Sequence, residues 1–339
     1  MSLRTYVIRR TINSLILILA CVVFNFFLFR LQVFLLGVDP AKLAFGANPK
    51  IEQTIIDAVR RKWGIPAPDA GFDAWTEYFF KYMTNMLTFN FGTSFLKQEE
   101  VSVLIAQKMP NTVILLGTAS IFTIILGIVL GVSAASRQGG RWDMGLIATS
   151  LTVYSLPVFW IGMLFIMVFG SYLGWFPVSG GTHSIKCSQP GACDPIENTI
   201  DLLYHMVLPT ATLTIGGFGG YLLLMRNNLI DVLTEDYIIT ARAKGLPENT
   251  VLYKHAFRNA VLPMVTVIAL TFAFVISGAV LTETIFSWSG LGVFIFESLI
   301  QNDWPSAEAV FLLIAITVII ANFVADILYG VLDPRIKYS

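Results

Sequence analysis

The chain has 339 residues, of which 55% are hydrophobic and 13% are charged. Soluble globular proteins carry about 25% charged residues, so the composition excludes a soluble globular protein and a disordered one. The 22 Lys and Arg residues are balanced by 22 Asp and Glu residues, which excludes a nucleic-acid-binding protein that relies on net positive charge. The high apolar fraction predicts a membrane protein.

Six stretches are long and apolar enough to cross a bilayer, for which a helix needs about 20 mostly apolar residues. Backbone groups in lipid can be satisfied only internally, so each crossing is expected to be an α-helix. The first stretch is too long for the apolar core of a typical signal peptide and is interpreted as a retained anchor. Pro157 is expected to kink the third. The six stretches are 12–29, 112–135, 144–172, 202–225, 260–282 and 309–325.

The positive charges predict the orientation of these crossings. Basic residues in short loops favour the cytoplasmic side. The two short connections 173–201 and 286–308 contain a single basic residue, Lys186. The connections on the opposite side hold most of the basic residues. The pattern predicts a multi-pass protein of the cell membrane with both termini in the cytoplasm. The basic residues on the predicted cytoplasmic side are Arg4, Arg9, Arg10, Arg137, Arg141, Arg226, Arg242, Lys244, Lys254, Arg258, Arg335 and Lys337.

The stretch 37–111 is predicted to form an external helical domain, because long loops are translocated regardless of their charge. Its runs 51–63 and 75–87 have apolar residues at helical spacing. One interpretation is a small cap on the outer ends of the crossings, and another is a docking platform for an external partner; the cap is favoured, and both can hold. The remaining divisions are 1–36, with the first crossing, and a core 112–339 that includes a cytoplasmic loop 226–260.

Cys187 and Cys193 lie in a predicted outside loop with a Pro-Gly turn between them. The outside of a cell membrane permits disulfides, so these two residues are predicted to form one. The alternative is a zinc site, but His183 is the only other ligand nearby, which is too few for structural zinc.

The chain is not expected to be an enzyme. It has no Gly-x4-Gly-Lys-Ser/Thr phosphate loop, so ATP hydrolysis is not expected from it. His183, His205 and His255 are too scattered for a catalytic or metal cluster. No cofactor, metal or nucleic-acid partner is predicted.

The cytoplasmic segment 231–263 has the pattern of two short helices. Thr234 and Asp236 are candidates to cap the first helix at its start. Gly245 after Lys244 predicts its end, and Pro247 suits the first turn of a second helix. We give two interpretations equal weight from the residues alone: a helix that docks into a groove of a soluble protein, and a helical linker on the membrane surface. By 3–4 spacing one face of the first helix holds Tyr237, Thr240, Ala241, Lys244 and Gly245.

Several motifs make the chain similar to a known family. Asp-Tyr-Ile-Ile-Thr-Ala-Arg-Ala-Lys-Gly at 236–245, His-Ala-Phe-Arg-Asn at 255–259 and Leu-Pro at 262–263 resemble the EAA loop of ABC-importer permeases. Further similar patterns lie at 278–286, 287–292 and 326–335. The chain most resembles the dipeptide/oligopeptide/nickel permease family, in the branch with a large external insertion after the first span. Ile239 stands at the acidic position that names the loop, as is common in the peptide-type branch.

The resemblance implies an all-α fold with six transmembrane helices, the type I ABC-importer permease fold, in a bacterial or archaeal cell membrane. It implies a permease subunit that translocates peptides or similarly sized solutes, with a second homologous permease, one or two ABC ATPases, an external substrate-binding protein and the lipid bilayer as partners. Oligosaccharide or nickel cargo is the alternative. A secondary transporter is less favoured, because the sequence has neither inverted repeats nor midplane charges.

The resemblance also implies roles for individual residues. Independently of the resemblance, Asp326, near the inner end of the last crossing, is expected to pair with a cytoplasmic arginine, because an ionisable residue near a span usually has a partner. The residues expected to couple the chain to an ATPase are Asp236, Tyr237, Thr240, Ala241, Arg242, Lys244, Gly245 and Leu246. The candidate translocation path consists of Thr271, Phe274, Ser277, Gly278 and Glu283.

Overall fold

The computed structural model describes residues 3–36, 40–43, 52–67, 69–178, 181–182, 184, 187, 193–277 and 279–332. Within these residues the chain is helical, and its only β pairing is an isolated antiparallel bridge between Thr93 and Glu100. It forms two compact units. Unit 1 comprises Met1–Thr112, Ile276–Val280 and Ser289–Ser339, and unit 2 comprises Val113–Val275 and Leu281–Trp288.

Unit 1 is built on two long apolar helices that pack against each other, the first and the last of the chain. The ring of Phe26 packs against that of Tyr82, with centroids 5.1 Å apart. The two helices predicted at 51–63 and 75–87 are present, and they begin at Gln53 and Phe72. The helices are α1 (Leu3–Leu36), α2 (Pro40–Leu43), α3 (Gln53–Trp63), α4 (Phe72–Leu87), the start of α5 (Val101–Ala135), α14 (Leu291–Ile300) and α15 (Trp304–Leu332).

An ion pair joins α1 to α15 near the end of the latter. Arg10 Nη1 lies 2.9 Å from Asp326 Oδ2, and the Tyr6 hydroxyl donates to the Asp326 carbonyl at 3.3 Å. The predicted pairing of Asp326 with an arginine is therefore confirmed. Arg335, another basic residue of the C-terminal segment, lies outside the described residues.

A buried carboxylate fixes the loop before α5 to the start of α15. Asp303 is 1% exposed and accepts hydrogen bonds from Ser94 Oγ at 2.5 Å, the Phe95 amide at 2.8 Å and Ser306 Oγ at 2.7 Å. Three donors satisfy the carboxylate without a cation, as buried polar groups require.

Unit 2 contains the rest of α5 and a series of helices around the longest one, α8. α6 and α7 both pack on α8. α5 approaches α8 closely at Gly131, where a Cβ atom would lie 2.7 Å from the Leu222 carbonyl oxygen. Small residues allow this kind of backbone approach between apolar helices. The helices are α6 (Arg141–Ser155), α7 (Val158–Phe165, continued as a π-helix over Ile166–Tyr172), α8 (Pro195–Leu233), α9 (Asp236–Ala243), α10 (Glu248–Thr250, continued as a π-helix over Val251–Ala256), α11 (Phe257–Ala260), α12 (Leu262–Ala273) and α13 (Val280–Ile285).

Among the residues that the structure describes, four helices are long and apolar enough to cross a membrane: Thr5–Phe29, Val101–Ala135, Pro195–Leu233 and Trp304–Ile327. Two bent helix pairs satisfy the same criterion if each counts as one span. α6 and α7 meet at 95°, and the helices before and after Val261 meet at 53°. The predicted effect of Pro157 is confirmed, since α6 ends at Ser155 and Pro157 is the residue before α7.

The stretch 260–282 is predicted to be one continuous helix, but the structure shows that it is interrupted. α12 ends at Ala273 and tightens into a 3₁₀ turn over Phe274–Ser277, and α13 starts separately at Val280. The transition after Ala273 is of a common kind, because 3₁₀ turns are frequent at helix ends. Gly278 lies outside the described residues.

The disulfide between Cys187 and Cys193 is present, with Cα atoms 5.2 Å apart, which confirms that prediction. Cys21 is a free thiol in α1. His183, the only other residue considered as a ligand there, lies outside the described residues. Across the part of the chain that the structure describes, no three His, Cys, Asp or Glu side chains are grouped to hold a metal ion.

Candidate functional site

The candidate site is the loop between α8 and α12, centred on α9. α8 ends at Leu233, where Thr234 Oγ1 donates to the Asp231 carbonyl at 2.7 Å. The residue before α9 is Glu235, whose side chain makes no capping hydrogen bond. The expected capping by Thr234 or Asp236 is therefore wrong: Thr234 completes the preceding helix, and Asp236 is in the first turn, where its charge favours the helix dipole.

α9 ends where the sequence predicts. The Lys244 amide donates to the Thr240 carbonyl at 3.1 Å, and the Gly245 amide to the Arg242 carbonyl at 2.9 Å. Gly245 has φ +75°, a left-handed conformation that costs an L-residue about 1–2 kcal/mol. The second helix starts at Glu248 rather than at Pro247, which is the residue before it.

One side of α9 is anchored in the core of unit 2. Ile238 is fully buried and Ala241 is 6% exposed, and both belong to a cluster with Leu229 of α8, Val251 of the π-helix after α10, and Met264 of α12. Burying one such aliphatic side chain stabilises the packing by about 1.5–3 kcal/mol. α9 is therefore attached firmly to the helices on both sides of it.

Two polar contacts add to this anchoring. The Arg242 guanidinium meets the Glu248 carboxylate across the turn, with Nη2–Oε1 at 2.6 Å and Nε–Oε2 at 3.2 Å. This hydrogen bonding raises the pKa of Arg242. Asn259 Nδ2 of α11 donates to the Tyr237 hydroxyl at 2.7 Å. The exposed ion pair contributes little energy, but it fixes the geometry of the turn.

The other side of α9 is exposed, and it is both apolar and basic. Tyr237 is 41% exposed and Ile239 55% exposed, and Arg242 and Lys244 are also exposed. Aromatic and aliphatic side chains beside arginine are typical of protein–protein interfaces. This surface suits docking to a soluble protein.

The predicted coupling residues are divided between these two sides. Ala241 faces the core of unit 2, so it does not share an outward face with Tyr237 and Thr240. Leu246 is half-buried and packs on the same core. The other predicted coupling residues are exposed: Asp236, Tyr237, Thr240, Arg242, Lys244 and Gly245.

The structure also shows an ion pair beside the loop that sequence reasoning missed. Arg226 of α8 meets Asp143 of α6 with Nε–Oδ1 at 2.6 Å and Nη2–Oδ2 at 2.7 Å. The Gly139 amide donates to the same carboxylate at 2.9 Å. The sequence does not show that Arg226 and Asp143 are partners, because they are 83 residues apart in the chain.

The predicted path residues occupy different surroundings. Thr271 Oγ1 donates to the Val267 carbonyl at 2.9 Å and is hydrogen-bonded to the Tyr221 hydroxyl of α8. Phe274, one turn later, is 41% exposed. Glu283 is fully buried in α13. The side chain of Ser277 and all of Gly278 lie outside what the structure describes, so the path remains a prediction.

Comparison with known proteins finds two family matches. Residues 127–338 match the family described as binding-protein-dependent transport system inner membrane component. Residues 3–116 match the family of the N-terminal part of such membrane components. Together the two matches span nearly the whole chain.

Individual relatives are similar over nearly their full length. The oligopeptide transport system permease protein AppB of Bacillus subtilis is 36% identical, over 98% of this chain and 99% of the relative. The di/tripeptide transport system permease protein DppB of Pseudomonas aeruginosa is 34% identical, over 89% of this chain and 90% of the relative. The glutathione transport system permease protein GsiC of Salmonella typhimurium is 34% identical, over 98% and 99%.

Proposed function

Because the chain belongs to the family of binding-protein-dependent transport system inner membrane components, and is thus a permease component of an ABC importer, we propose that it carries peptides across the bacterial cell membrane. The peptide, dipeptide and glutathione transport named for its relatives supports this cargo. The ATPase activity of such an importer lies in partner subunits. An external binding protein delivers the cargo.

The chain crosses the membrane six times, with each bent helix pair counting as one crossing, and both termini lie in the cytoplasm. The basic residues of the loop around α9 support this orientation. Residues 37–111 then lie outside, together with the disulfide loop. A second, homologous permease completes the pathway, and one or two kinds of ATPase bind beneath.

α9 is the element through which an ATPase moves the permease. The observation that carries this proposal is that Ile238 and Ala241 anchor one side of α9 while Tyr237 and Ile239 stand exposed on the other. A helix fixed on one side and exposed on the other can transmit a displacement of its docking partner to α8 and α12. The switch of access from outside to inside follows from that displacement.

Substitution of the exposed side of α9 tests this proposal without touching its core. Ile239→Asp is expected to reduce co-purification of the ATPase about tenfold or more, since it introduces a charge at the centre of the contact. Ile196→Asp, at an exposed site at the start of α8 (71% exposed), is the matched control and should retain the ATPase. Full retention by the Ile239 variant would contradict the role of α9.

A second experiment separates binding from coupling. Gly245→Trp strains the turn that ends α9, so ATP hydrolysis should continue while peptide uptake falls. Gly174 also has positive φ (+63°) with open space around it, and Gly174→Trp is the control for strain elsewhere. Uptake assays with peptide, oligosaccharide and nickel in proteoliposomes would identify the cargo, and uptake of only the last two would overturn the peptide assignment.

A further inference from the structure

Unit 1 contains a cavity of about 480 Å³ that the translocation mechanism does not use. It is bounded by the end of α3, by α4, by the loop after α4 and by the first turns of α15. Small-molecule sites in proteins have volumes of about 300–1,000 Å³. The cavity is therefore large enough for a ligand of two or three amino acids.

Two cations on the cavity wall are available to an anion. Arg61 and Lys81 both line it, and neither forms an ion pair with any of the residues that the structure describes. Lys81 Nζ would lie 3.4 Å from a Cβ atom on Gly64, so its charge also favours the C-terminal end of α3. Arg61 lies in the last turn of α3, where its charge favours the same helix end, and its planar guanidinium is suited to a carboxylate.

Two side-chain amides on the same wall are also available. Asn85 and Asn90 line the cavity, and among the described residues their side chains make no hydrogen bond; the contact between them is from backbone to backbone. Each amide group offers donors and an acceptor. This is the set of groups that pairs with a peptide bond.

The wall also carries an acidic side chain. Glu308 of α15 lines the cavity and is 2% exposed. A carboxylate has two oxygens that can accept from several donors, so Glu308 can bind an ammonium group in addition to the contacts that it already makes. The ring of Tyr82, which is 5% exposed, contributes an apolar surface to the same wall. Positive, negative, amide and aromatic groups thus line one space.

We propose that this cavity binds a short zwitterionic peptide at the permease itself. Arg61 and Lys81 hold the peptide's carboxylate, Asn85 and Asn90 pair with its amide groups, and Glu308 holds its ammonium group. The choice of a peptide rests on the proposed function, and the proposed topology puts the cavity outside the membrane. Such a site would hold peptide next to the permease before it enters the pathway.

Equilibrium binding of radiolabelled trialanine to the complete importer in nanodiscs, without the external binding protein, tests the proposal. Wild type should bind trialanine saturably. Arg61→Gln and Lys81→Gln should each weaken binding about tenfold, the usual effect of losing one charge-assisted hydrogen bond. Arg60→Gln is the matched control, because Arg60 pairs with Asp57 at 2.9 Å and does not line this cavity. Equal loss in all three variants would overturn the site.

Altered ligands test the two charged ends separately. Trialanine amide should bind wild type about as weakly as trialanine binds the Arg61 variant. N-acetyl-trialanine should bind wild type more weakly than trialanine does, whereas the Glu308→Gln variant should bind the two peptides equally. Binding of both analogues with unchanged affinity would contradict the assignment. Because Glu308 is buried, size-exclusion profiles and the binding of N-acetyl-trialanine, which keeps the carboxylate held by Arg61 and Lys81, report whether that variant still folds.

Transport measured in parallel separates this inference from the proposed function. If wild type transports trialanine with ATP and its binding protein but shows no saturable binding without that protein, the cavity proposal fails alone. If binding of the external protein, rather than of trialanine, is lost in Arg61→Gln, the cavity is a docking site and the peptide assignment is overturned. Absence of peptide transport by wild type would refute the proposed function itself.

Discussion

Arg226 and Asp143 form a bidentate ion pair between α8 and α6, with N–O distances of 2.6 and 2.7 Å. The carboxylate side chain is 1% exposed and that of the arginine 17% exposed. Charged groups shielded from water in this way depend on each other, because either one alone is left without its neutralising partner. The pair therefore holds α6 in a fixed position beside the part of α8 that leads to α9.

Removal of one member of this pair should destabilise the permease. Arg226→Met leaves the Asp143 charge buried and is expected to cost about 3–5 kcal/mol, whereas Arg226→Met combined with Asp143→Leu should recover most of the loss. Calorimetry of the purified importer measures the thermal midpoints of the single and double variants. Additive losses in the double variant would show that the two charges act independently.

Gly131 should not tolerate a side chain. A Cβ atom there would lie 2.7 Å from the Leu222 carbonyl oxygen and 2.8 Å from Met225 Cβ. Gly131→Ala is therefore expected to cost about 1–3 kcal/mol through overpacking. Gly117→Ala lies on the same helix with nothing within 4 Å of its Cβ position and is the control. The yield of folded protein after detergent extraction compares the two, and equal yields would argue against close packing at Gly131.

Asp303→Ala should loosen the loop before α5. It leaves the Ser94 and Ser306 hydroxyls and the Phe95 amide without their acceptor. Each donor that remains buried without a hydrogen bond should lower the free energy of unfolding by about 1–3 kcal/mol. Limited proteolysis should then cut the 88–100 loop faster than in wild type. Asp73→Ala, at an exposed site in the first turn of α4, should leave the cleavage rate unchanged, and protection of the loop in the Asp303 variant would contradict the role of this network.

The cysteines should differ in reactivity. Mass spectrometry of unreduced, alkylated protein should find the alkyl group on Cys21 alone, and reduction should expose Cys187 and Cys193. Cys187→Ser should release one further thiol at Cys193. Alkylation of both loop cysteines in unreduced protein would exclude the disulfide in the isolated molecule.

Helices and local endings could be predicted from the sequence because they depend on neighbouring residues. Pro157 interrupts a helix through its own ring, and Gly245 ends α9 through its own backbone freedom. The Asp326 ion pair could also be anticipated, since an ionised group near a membrane segment is expected to have a partner. Its specific partner Arg10 is 316 residues earlier in the chain, so only the structure identifies it.

Long-range contacts could not be predicted, because they depend on residues that are distant in the sequence. The 3–4 spacing in α9 predicts a face that holds Tyr237 and Ala241 together, but which residues of an eight-residue helix are buried depends on what packs against it. Here Ile238 and Ala241 are buried in a cluster that also contains Leu229 and Val251. The Arg226–Asp143 pair and the cavity lined by Arg61 and Glu308 likewise bring together residues that are far apart in sequence.

At the close approach of α5 to α8, Gly131 places no side chain of α5 between the two backbones. Side chains between two helices normally absorb small displacements by rearranging, but at Gly131 the helix α5 has no side chain that could do so. A displacement of α8 would thus be passed directly to α5, and the two helices would tilt together.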